Sequence, residues 1–511
     1  MGKRVVSLIL IPFLLFYAVP ASAVEKEERN WQDEIIYFMM IDRFNDGDTK
    51  NDKNVNVNEP GSYNGGDFKG IIDKLDYIKD MGFTAIWLTP VFDNMDKGYH
   101  GYWVKDFYKT DEHFGTLTEF KQLVKEAHKR NLKVISDFVV NHVGYNHPWL
   151  NDPEKKDWFH EKQPIENWDD QTEVENGWLY DLPDLNQDNP ETRKYLLDAA
   201  KWWIDETDID GYRLDAVKHV PKDFWADFAK TVKAEKQNFY LLGEVWDNDS
   251  KSISDYEKTG IDGFLDFPKN EQLRQAFMAP DGSLEGLFTV GAQNKELYKN
   301  AGLLGTFIDN HDMTRFTYEA VNNRQNPGTR WKMALSYMYT TTGIPIIYYG
   351  SEIALNGGEE PDNRKLMAFK AEKDLIDYIT RLAELRKKHP ALVRGETELL
   401  YDKDGMAVFK REYEGETLFV AVNNSSKSQT VTIDDEDLAK DKELRGLLEG
   451  DLVRGKDGKY SIILDREQTE VYKLADESGI NIAYMATLAG VYAAFAAFII
   501  LVLKRSRHKQ S

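Results

Sequence analysis

The sequence predicts an α/β fold: a closed (β/α)8 TIM barrel that carries a small inserted domain after its third strand and is followed by an antiparallel β-sandwich. Three observations carry that reading. Short apolar runs alternate with helical stretches in eight units before Pro390. The third and fourth runs are separated by a connection too long for an ordinary loop. After Pro390 the pattern changes to strand-like alternation broken by turn residues.

Strands are expected at 35–41, 85–88, 133–139, 211–214, 240–242, 263–267, 304–308 and 344–348, and helices at 117–130, 190–206, 221–236, 330–341 and 373–388. Pro190 and Pro221 sit where a first helical turn tolerates a residue without an N–H. Within 190–206, Trp203 lines up with Leu196 and Ala200 and belongs to the core. Trp202 lies about 100° away around the helix, either packed at the edge of that core or partly exposed as a stacking face. The connection at 142–189 is rich in Trp, Asp, Asn and Glu and reads as a small domain over the barrel mouth. The barrel then occupies 24–141 and 190–390, and the sandwich 391–475.

Both ends look like addresses. Lys3 and Arg4, an apolar stretch at 5–19 and Ala21-Ser22-Ala23 form the three regions of a secretory signal spanning 1–23. Residues 483–503 carry no charge and are long enough to cross about 30 Å of hydrocarbon as a helix. Lys504, Arg505, Arg507 and Lys509 follow in the tail 504–511, which puts that tail on the cytoplasmic side and the region from 24 to about 480 outside the cell. The expected protein is a single-pass cell-membrane protein with an extracellular catalytic region, and shedding of the anchor would give a secreted form.

Composition removes several classes. A net charge of -22 repels nucleic-acid phosphates and anionic membrane surfaces. No cysteine is present, so disulfides, thiolate metal sites and a cysteine nucleophile are all excluded. The 26 Tyr, 26 Phe and 12 Trp supply flat apolar faces of the kind that sugars stack on.

The chemistry is written at strand ends. Gly211-Tyr212-Arg213-Leu214-Asp215, Leu242-Gly243-Glu244 and Phe307-Ile308-Asp309-Asn310-His311-Asp312 are apolar runs that deliver a carboxylate to the rim of a parallel barrel. Glycosidic bond cleavage needs one ionised carboxylate beneath the anomeric carbon and one protonated carboxyl beside the leaving oxygen. Period-2 alternation puts Arg213 on the same side of its strand as Asp215, where the cation can keep the carboxylate ionised. Glu244 has to be protonated when the bond breaks, which asks for a drier or more negative setting.

These runs, with Asp137-Phe138-Val139-Val140-Asn141-His142, Leu182-Pro183-Asp184-Leu185-Asn186 and Tyr99-His100-Gly101-Tyr102-Trp103, occur in an order that resembles the α-amylase family, glycoside hydrolase family 13, over nearly all of 31–474. The resemblance implies Asp215 as nucleophile, Glu244 as acid/base and Asp312 as stabiliser of the oxocarbenium-like transition state. It further implies that His142 and His311 bond sugar hydroxyls, that Tyr99 stacks beneath the attacked ring, and that Asp137 orients Arg213. Lys218 and His219 would meet the leaving side. Glu360, where the family has Asp, and Arg364 would bind the next glucose on the other side. Trp246 offers either an aromatic wall beyond the cleaved bond or a packed rim side chain.

The resemblance also implies structural Ca2+, a hard cation suited to oxygen ligands. One site would use Asn141, Glu175, Asp184 and the His219 carbonyl to tie the insertion to the barrel. A second would use Asp46, Asp48, Asn51, Asp52, Gly65 and Asp67, similar to the N-terminal calcium loop of cyclodextrin glucanotransferases and maltogenic amylases. The implied activity is retaining, endo-acting hydrolysis of α-1,4-glucosidic bonds in starch and maltooligosaccharides. A cyclodextrin-type transglycosylase and an inactive, membrane-tethered α-glucan-binding relative are the alternatives.

Overall fold

Eight short parallel strands form the frame: β1 (Ile36–Met39), β2 (Ala85–Leu88), β3 (Lys133–Phe138), β4 (Gly211–Leu214), β5 (Tyr240–Gly243), β6 (Gly263–Phe264), β7 (Gly305–Thr306) and β8 (Ile344–Tyr348). They pair in the order β6-β5-β4-β3-β2-β1-β8-β7. A parallel bridge between Leu265 and Gly305, with Asp266 N–H donating to the Gly305 carbonyl at 2.9 Å, joins the two ends into a barrel. This computed structural model describes residues 29–433, 438, 442–456, 459–477 and 482–507. The expected signal at 1–23 and the last four residues of the basic tail lie outside the described residues.

The strands are apolar on both faces because the barrel interior covers one and the outer helices the other. All four residues of β1, β2, β4 and β5 are buried. Three strands end two or more residues earlier than periodicity predicts. After β1 the chain turns into a helical turn at Ile41–Phe44. After β6, the Asp266 side chain accepts from Lys269 N and caps the helix Phe267–Phe277, so residues expected in the strand open a helix instead. β7 is reduced to two residues before the run that carries His311 and Asp312. Pro190 begins the helix Pro190–Thr207 as expected, whereas Pro221 precedes Lys222–Glu235 as its cap residue. Trp203 is buried, with its indole N–H on the Phe107 carbonyl, and Trp202 is half-buried beside Tyr108.

Periodicity missed an antiparallel hairpin, Phe92–Asn94 with Val104–Thr110, on the connection after β2. It presents the Tyr99–Trp103 run at its turn. The insertion has little regular structure, with 3-10 turns at Pro148–Asn151 and Pro153–Trp158 and a short helix at Gln171–Asn176. The bridge His142↔Asp184 fastens it near the end of β3, and Phe159↔Leu185 closes it internally.

The C-terminal strands are β9 (Glu396–Lys403), β10 (Met406–Tyr413), β11 (Glu416–Asn423), β12 (Gln429–Ile433), β13 (Lys442–Gly446), β14 (Leu452–Arg454), β15 (Tyr460–Leu464) and β16 (Gln468–Asp476). Six form one antiparallel sheet, β9-β10-β11-β16-β13-β14, and β12 pairs with β15 opposite it. Alternation does divide the two central strands. Ala407, Phe409, Leu418, Val420 and Val422 join the barrel core, and Met406, Val408, Phe419 and Ala421 join the core between the sheets. Both faces are therefore covered, which is why Met406–Phe409 reads as one apolar run. Arg330 ties the two domains through Asn424 at 2.8 Å and Glu467 at 2.6 Å.

The last described element is a 26-residue helix, Ile482–Arg507. Its window Met485–Val502 has a mean hydropathy of 2.3, and none of its residues is buried.

Candidate active site

Register brings the carboxyls together. Asp137 pairs with Arg213 between β3 and β4, and Leu214 pairs with Gly243 between β4 and β5, so Asp215 and Glu244 leave adjacent strands side by side. Arg213 is fully buried and serves all three acids. Its Nη1 lies 2.8 Å from Asp137 Oδ1 and 2.6 Å from Asp215 Oδ1, while Nη2 forms an ion pair with Glu244 Oε1. Asp137 is held from its other side by the Tyr102 hydroxyl at 2.7 Å and the Trp87 indole N–H at 3.2 Å. Ala216 N–H donates to Glu244 Oε2 at 3.2 Å.

The environments of these acids differ in sign. Burial, partly opposed by Arg213 and reinforced by the charges of Asp215 and Asp312, pushes the Glu244 carboxyl up to about 8. Burial likewise raises Asp137 to about 7 against the pull of Arg213. Burial opposes ionisation of Asp312 too, but His311, Arg364 and Arg213 together hold it below the ordinary carboxylate range. Its carboxylate meets Arg364 Nη2 at 3.0 Å and His311 Nε2 at 3.1 Å. A protonated Glu244 thus stands near an ionised Asp312 at neutral pH, a contrast of the kind that glycosidic cleavage requires.

The expected sugar contacts surround this centre. His311 stacks on Tyr102, with ring centroids 4.9 Å apart, and burial keeps it neutral by lowering it to about 3. His142 is lowered for the same reason. His142 Nε2 and His311 Nδ1 are buried without a protein partner, as ring nitrogens awaiting hydroxyl groups would be. The Tyr99 hydroxyl accepts from Arg364 Nη1 at 3.3 Å. Glu360 Oε2 reaches Arg364 Nη2 at 2.7 Å, so the longer acid still finds its arginine. Asn363 donates to the carbonyls of His311 and Met313, and Arg364 Nε to that of His311, which locks the Glu360–Arg364 loop to the Asp312 run.

On the other side, Lys218 Nζ donates to the Trp246 carbonyl at 2.9 Å. Trp246 is 41% exposed and backed by Phe267 at 4.9 Å, so it is a packed rim side chain and an open wall at once. His219 is less available than expected. Its Nδ1 is 3.0 Å from the Val174 carbonyl, and burial lowers it to about 4, so a neutral ring ties the insertion to the barrel and leaves Nε2 alone for a ligand. Sequence reasoning missed Trp168, 51% exposed, with Lys218 over its ring at 5.7 Å. An isolated Trp in an irregular insertion has no period to mark it. Tyr102 and Trp87 were also missed as holders of Asp137, although Tyr102 lies inside the Tyr99–Trp103 run.

Among the described residues no group of three or more His, Cys, Asp or Glu side chains gathers as a metal would need. A cation here would have to use amide and carbonyl oxygens as well. The first candidate set meets that demand. Asn141 Oδ1 and Asp184 Oδ1 are buried without a hydrogen-bond partner, while Asp184 Oδ2 takes His160 Nδ1 at 2.6 Å. Glu175 Oε1 is committed to Gln171, which also bonds the Lys218 carbonyl. In the second set Asn51 Oδ1 and Asp52 Oδ1 are likewise orphaned. Asp46 and Asp52 are both raised, first by partial burial and then by neighbouring aspartates. A Cβ on Gly65 would press on Asp52 Oδ1 at 2.9 Å. Asp67 is the weakest member, because its oxygens already accept from Gly47, Asp48 and Gly70 N–H and from the Asn51 amide.

Volume alone would misplace the site. A pocket of about 950 Å³ lined by Trp31, Lys133, Lys236 and Tyr240 lies at the opposite, N-terminal end of the strands and holds none of these catalytic candidates.

A parallel barrel with three rim acids, one shared buried arginine and neutral histidines defines a glycoside hydrolase class, and comparison with known proteins narrows it. The α-amylase catalytic-domain model matches residues 38–374, and the α-amylase C-terminal-domain model matches 395–472. The chain belongs to the α-amylase family, glycoside hydrolase family 13. The crystal structure of an Anoxybacillus α-amylase is 64% identical, with a TM-score of 0.88 over 89% of this chain and all of that one. The β/α-amylase of Paenibacillus polymyxa is 39% identical over 87% of this chain, which spans only 38% of that protein's length. A cyclomaltodextrinase of Thermoanaerobacter pseudethanolicus is 33% identical over 81% of this chain and 74% of its own.

Proposed function

We propose that this chain is a retaining, endo-acting α-amylase that hydrolyses α-1,4-glucosidic bonds of starch-like glucans outside the cell. The observation that carries the reading is the carboxyl pair on one guanidinium, with Glu244 raised to about 8 beside an Asp215 held by Arg213 at 2.6 Å. A shared cation keeps the pair close, as the about 5–5.5 Å spacing of retaining enzymes requires. Glu244 gives its proton to the glycosidic oxygen as a carboxylate oxygen of Asp215 attacks the anomeric carbon. The C–O bond to the leaving sugar breaks and a glycosyl-enzyme ester forms. Glu244, now ionised, takes a proton from water, which attacks the same carbon and releases Asp215. Asp312 stabilises the positive charge that develops in both steps.

Incubating the soluble region with amylose and maltooligosaccharides, while following reducing ends, product sizes and anomeric configuration, tests this directly. Internal cleavage with retained configuration is expected, and β-anomeric products or no cleavage would overturn it. The transferring alternative is favoured by one feature, the exposed Trp246, since an aromatic wall that holds an acceptor sugar lets it compete with water. Similarity to an α-amylase at nearly twice the identity of the cyclomaltodextrinase favours hydrolysis. Hydrolysis is expected to dominate on starch, with minor transfer at high oligosaccharide concentration that Trp246→Ala reduces. Cyclodextrins or elongated products as the main early species would replace the hydrolase reading.

Structural Ca2+ belongs to the proposal. Asn141, Asp184, Glu175 and the His219 carbonyl would bind the insertion to the barrel, and Asn51, Asp52, Asp46 and Asp48 would close the N-terminal loop. A cation bound only to the folded state at about 100 times its Kd contributes about 2.7 kcal/mol. Chelation is therefore expected to lower Tm and open the insertion to proteases, with Asp184→Ala mimicking the effect. An unchanged melting curve in protein that contains no calcium would sink the metal proposal.

The localisation proposal rests on the helix Ile482–Arg507, about 39 Å long at 1.5 Å per residue, with no residue of its apolar window buried. A chain ending at Asp476 should appear in the medium as active enzyme. A catalytic region shielded from protease in intact cells would reverse the topology.

A further inference from the structure

We infer that Arg43 is a positioning residue for the sugar grip on the non-leaving side, holding Tyr99 and Arg364 in place from behind. The inference rests on the reading of those two residues given above. Arg43 lies in the helical turn Ile41–Phe44 that follows β1, and it is almost fully buried. Its guanidinium covers one face of the Tyr99 ring, with Cζ 4.0 Å from the centroid. Nη1 donates to the Arg364 carbonyl at 2.9 Å, and Nη2 to the carbonyls of Pro60 and Ser62 at 2.7 and 2.9 Å. Nε is anchored on Asp42 Oδ2 at 2.6 Å, and Asp42 accepts in turn from Asn64 and Gly65 N–H.

Each contact constrains a group that would touch sugar. A cation on one face of a phenol ring is attracted to its π density and fixes the ring plane, leaving the other face for the C–H surface of a glucose. The hydrogen bond to the Arg364 backbone fixes the base of a side chain that itself meets Asp312 at 3.0 Å, Tyr99 at 3.3 Å and the His311 carbonyl at 2.8 Å. Arg43 therefore touches no reacting atom but stands behind two groups, Tyr99 and Arg364, that would touch sugar. The 60–65 segment is its third anchor, so a loop that carries candidate cation ligands and the sugar grip share one planar fork. Lysine cannot replace that fork, because a single ammonium does not span Asp42 and three carbonyls while covering a ring. A misplacement of about 1 Å at such a distance can cost about 100-fold in rate.

The test compares Arg43→Lys with wild type on amylose and maltooligosaccharides at a temperature where circular dichroism shows both fully folded. The expected result is a kcat/KM lowered about 10- to 100-fold, mainly through kcat, because the attacked ring must be held in the transition state. In a Tyr99→Ala background, where the ring that Arg43 covers is gone, the further loss from Arg43→Lys should shrink to less than about threefold. If Arg43→Lys does not fold, Asp42→Asn loosens the same fork at its anchor and supplies the same comparison. Wild-type kcat/KM with only a lowered Tm, or losses that multiply fully in the double variant, would overturn the inference. A wild-type enzyme inactive on every α-glucan would overturn the proposed function and this inference with it.

Discussion

Asp215→Asn and Glu244→Gln each lower turnover on amylose by a factor on the order of 10³ or more, with the fold retained. Asn lacks the charge and nucleophilicity needed to form the glycosyl-enzyme, and Gln has no proton to give the leaving oxygen. A positioned acid/base alone is worth about 10² to 10⁴. Both positions lie beside a buried cation that also holds Asp137, so neither change leaves Arg213 without a carboxylate. Near-normal activity in either variant would overturn the assignment. The raised Glu244 carboxyl gives the same assignment a pH signature. The acid must be protonated when the bond breaks, so kcat/KM should fall as pH rises through about 8. The sign for stability runs the same way. A carboxyl raised in the folded state adds stability that is fully present below its unfolded pKa and lost as pH rises through about 8. The wild-type Tm should therefore decline over that window, and Glu244→Gln should flatten the slope. Equal slopes would show that Glu244 does not titrate there.

Much of the chemistry was legible because a parallel barrel writes it at strand ends. Leu214 and Gly243 are paired positions across β4 and β5, so two apolar runs that each end on an acid are enough to place Asp215 beside Glu244. The Arg213 and Asp215 pairing followed from period-2 alternation alone. What the sequence hid falls into three kinds. Asp266 could be read as part of an apolar strand or as a helix cap, and tertiary context chose the cap. His219 could face the cleft or the insertion, and only the fold places the Val174 carbonyl at its Nδ1. Arg43, Trp87 and Tyr102 act on the site across 321, 50 and 35 residues of chain, distances at which no local pattern carries information. The hairpin between Phe92 and Thr110 escaped for a different reason, since its register slips twice and breaks the alternation that would reveal it.

Arg213→Gln should be the most damaging single change outside the reacting carboxyls, because three acids lose the cation they share at once. Asp137 and Glu244 stand at about 7 and about 8 even with the guanidinium present, which opposes the burial that raises them. Without it the cluster at neutral pH must either hold buried charge without a partner or take up protons. The first course costs about 3–5 kcal/mol, the penalty for stripping one partner from a buried ion pair. The second neutralises acids whose charge the chemistry needs, and either way Asp215 loses the guanidinium hydrogen bond that holds it. Arg213→Gln is thus expected to lower kcat by a factor on the order of 10³, to reduce Tm most at alkaline pH, and to recover part of its stability as pH falls and the acids protonate. Arg213→Lys keeps one charge but cannot bridge Asp137, Asp215 and Glu244 together, so it should regain stability while kcat stays low. Should Arg213→Lys restore turnover as well as Tm, charge alone would suffice, and the bridging role assigned to the guanidinium would be wrong.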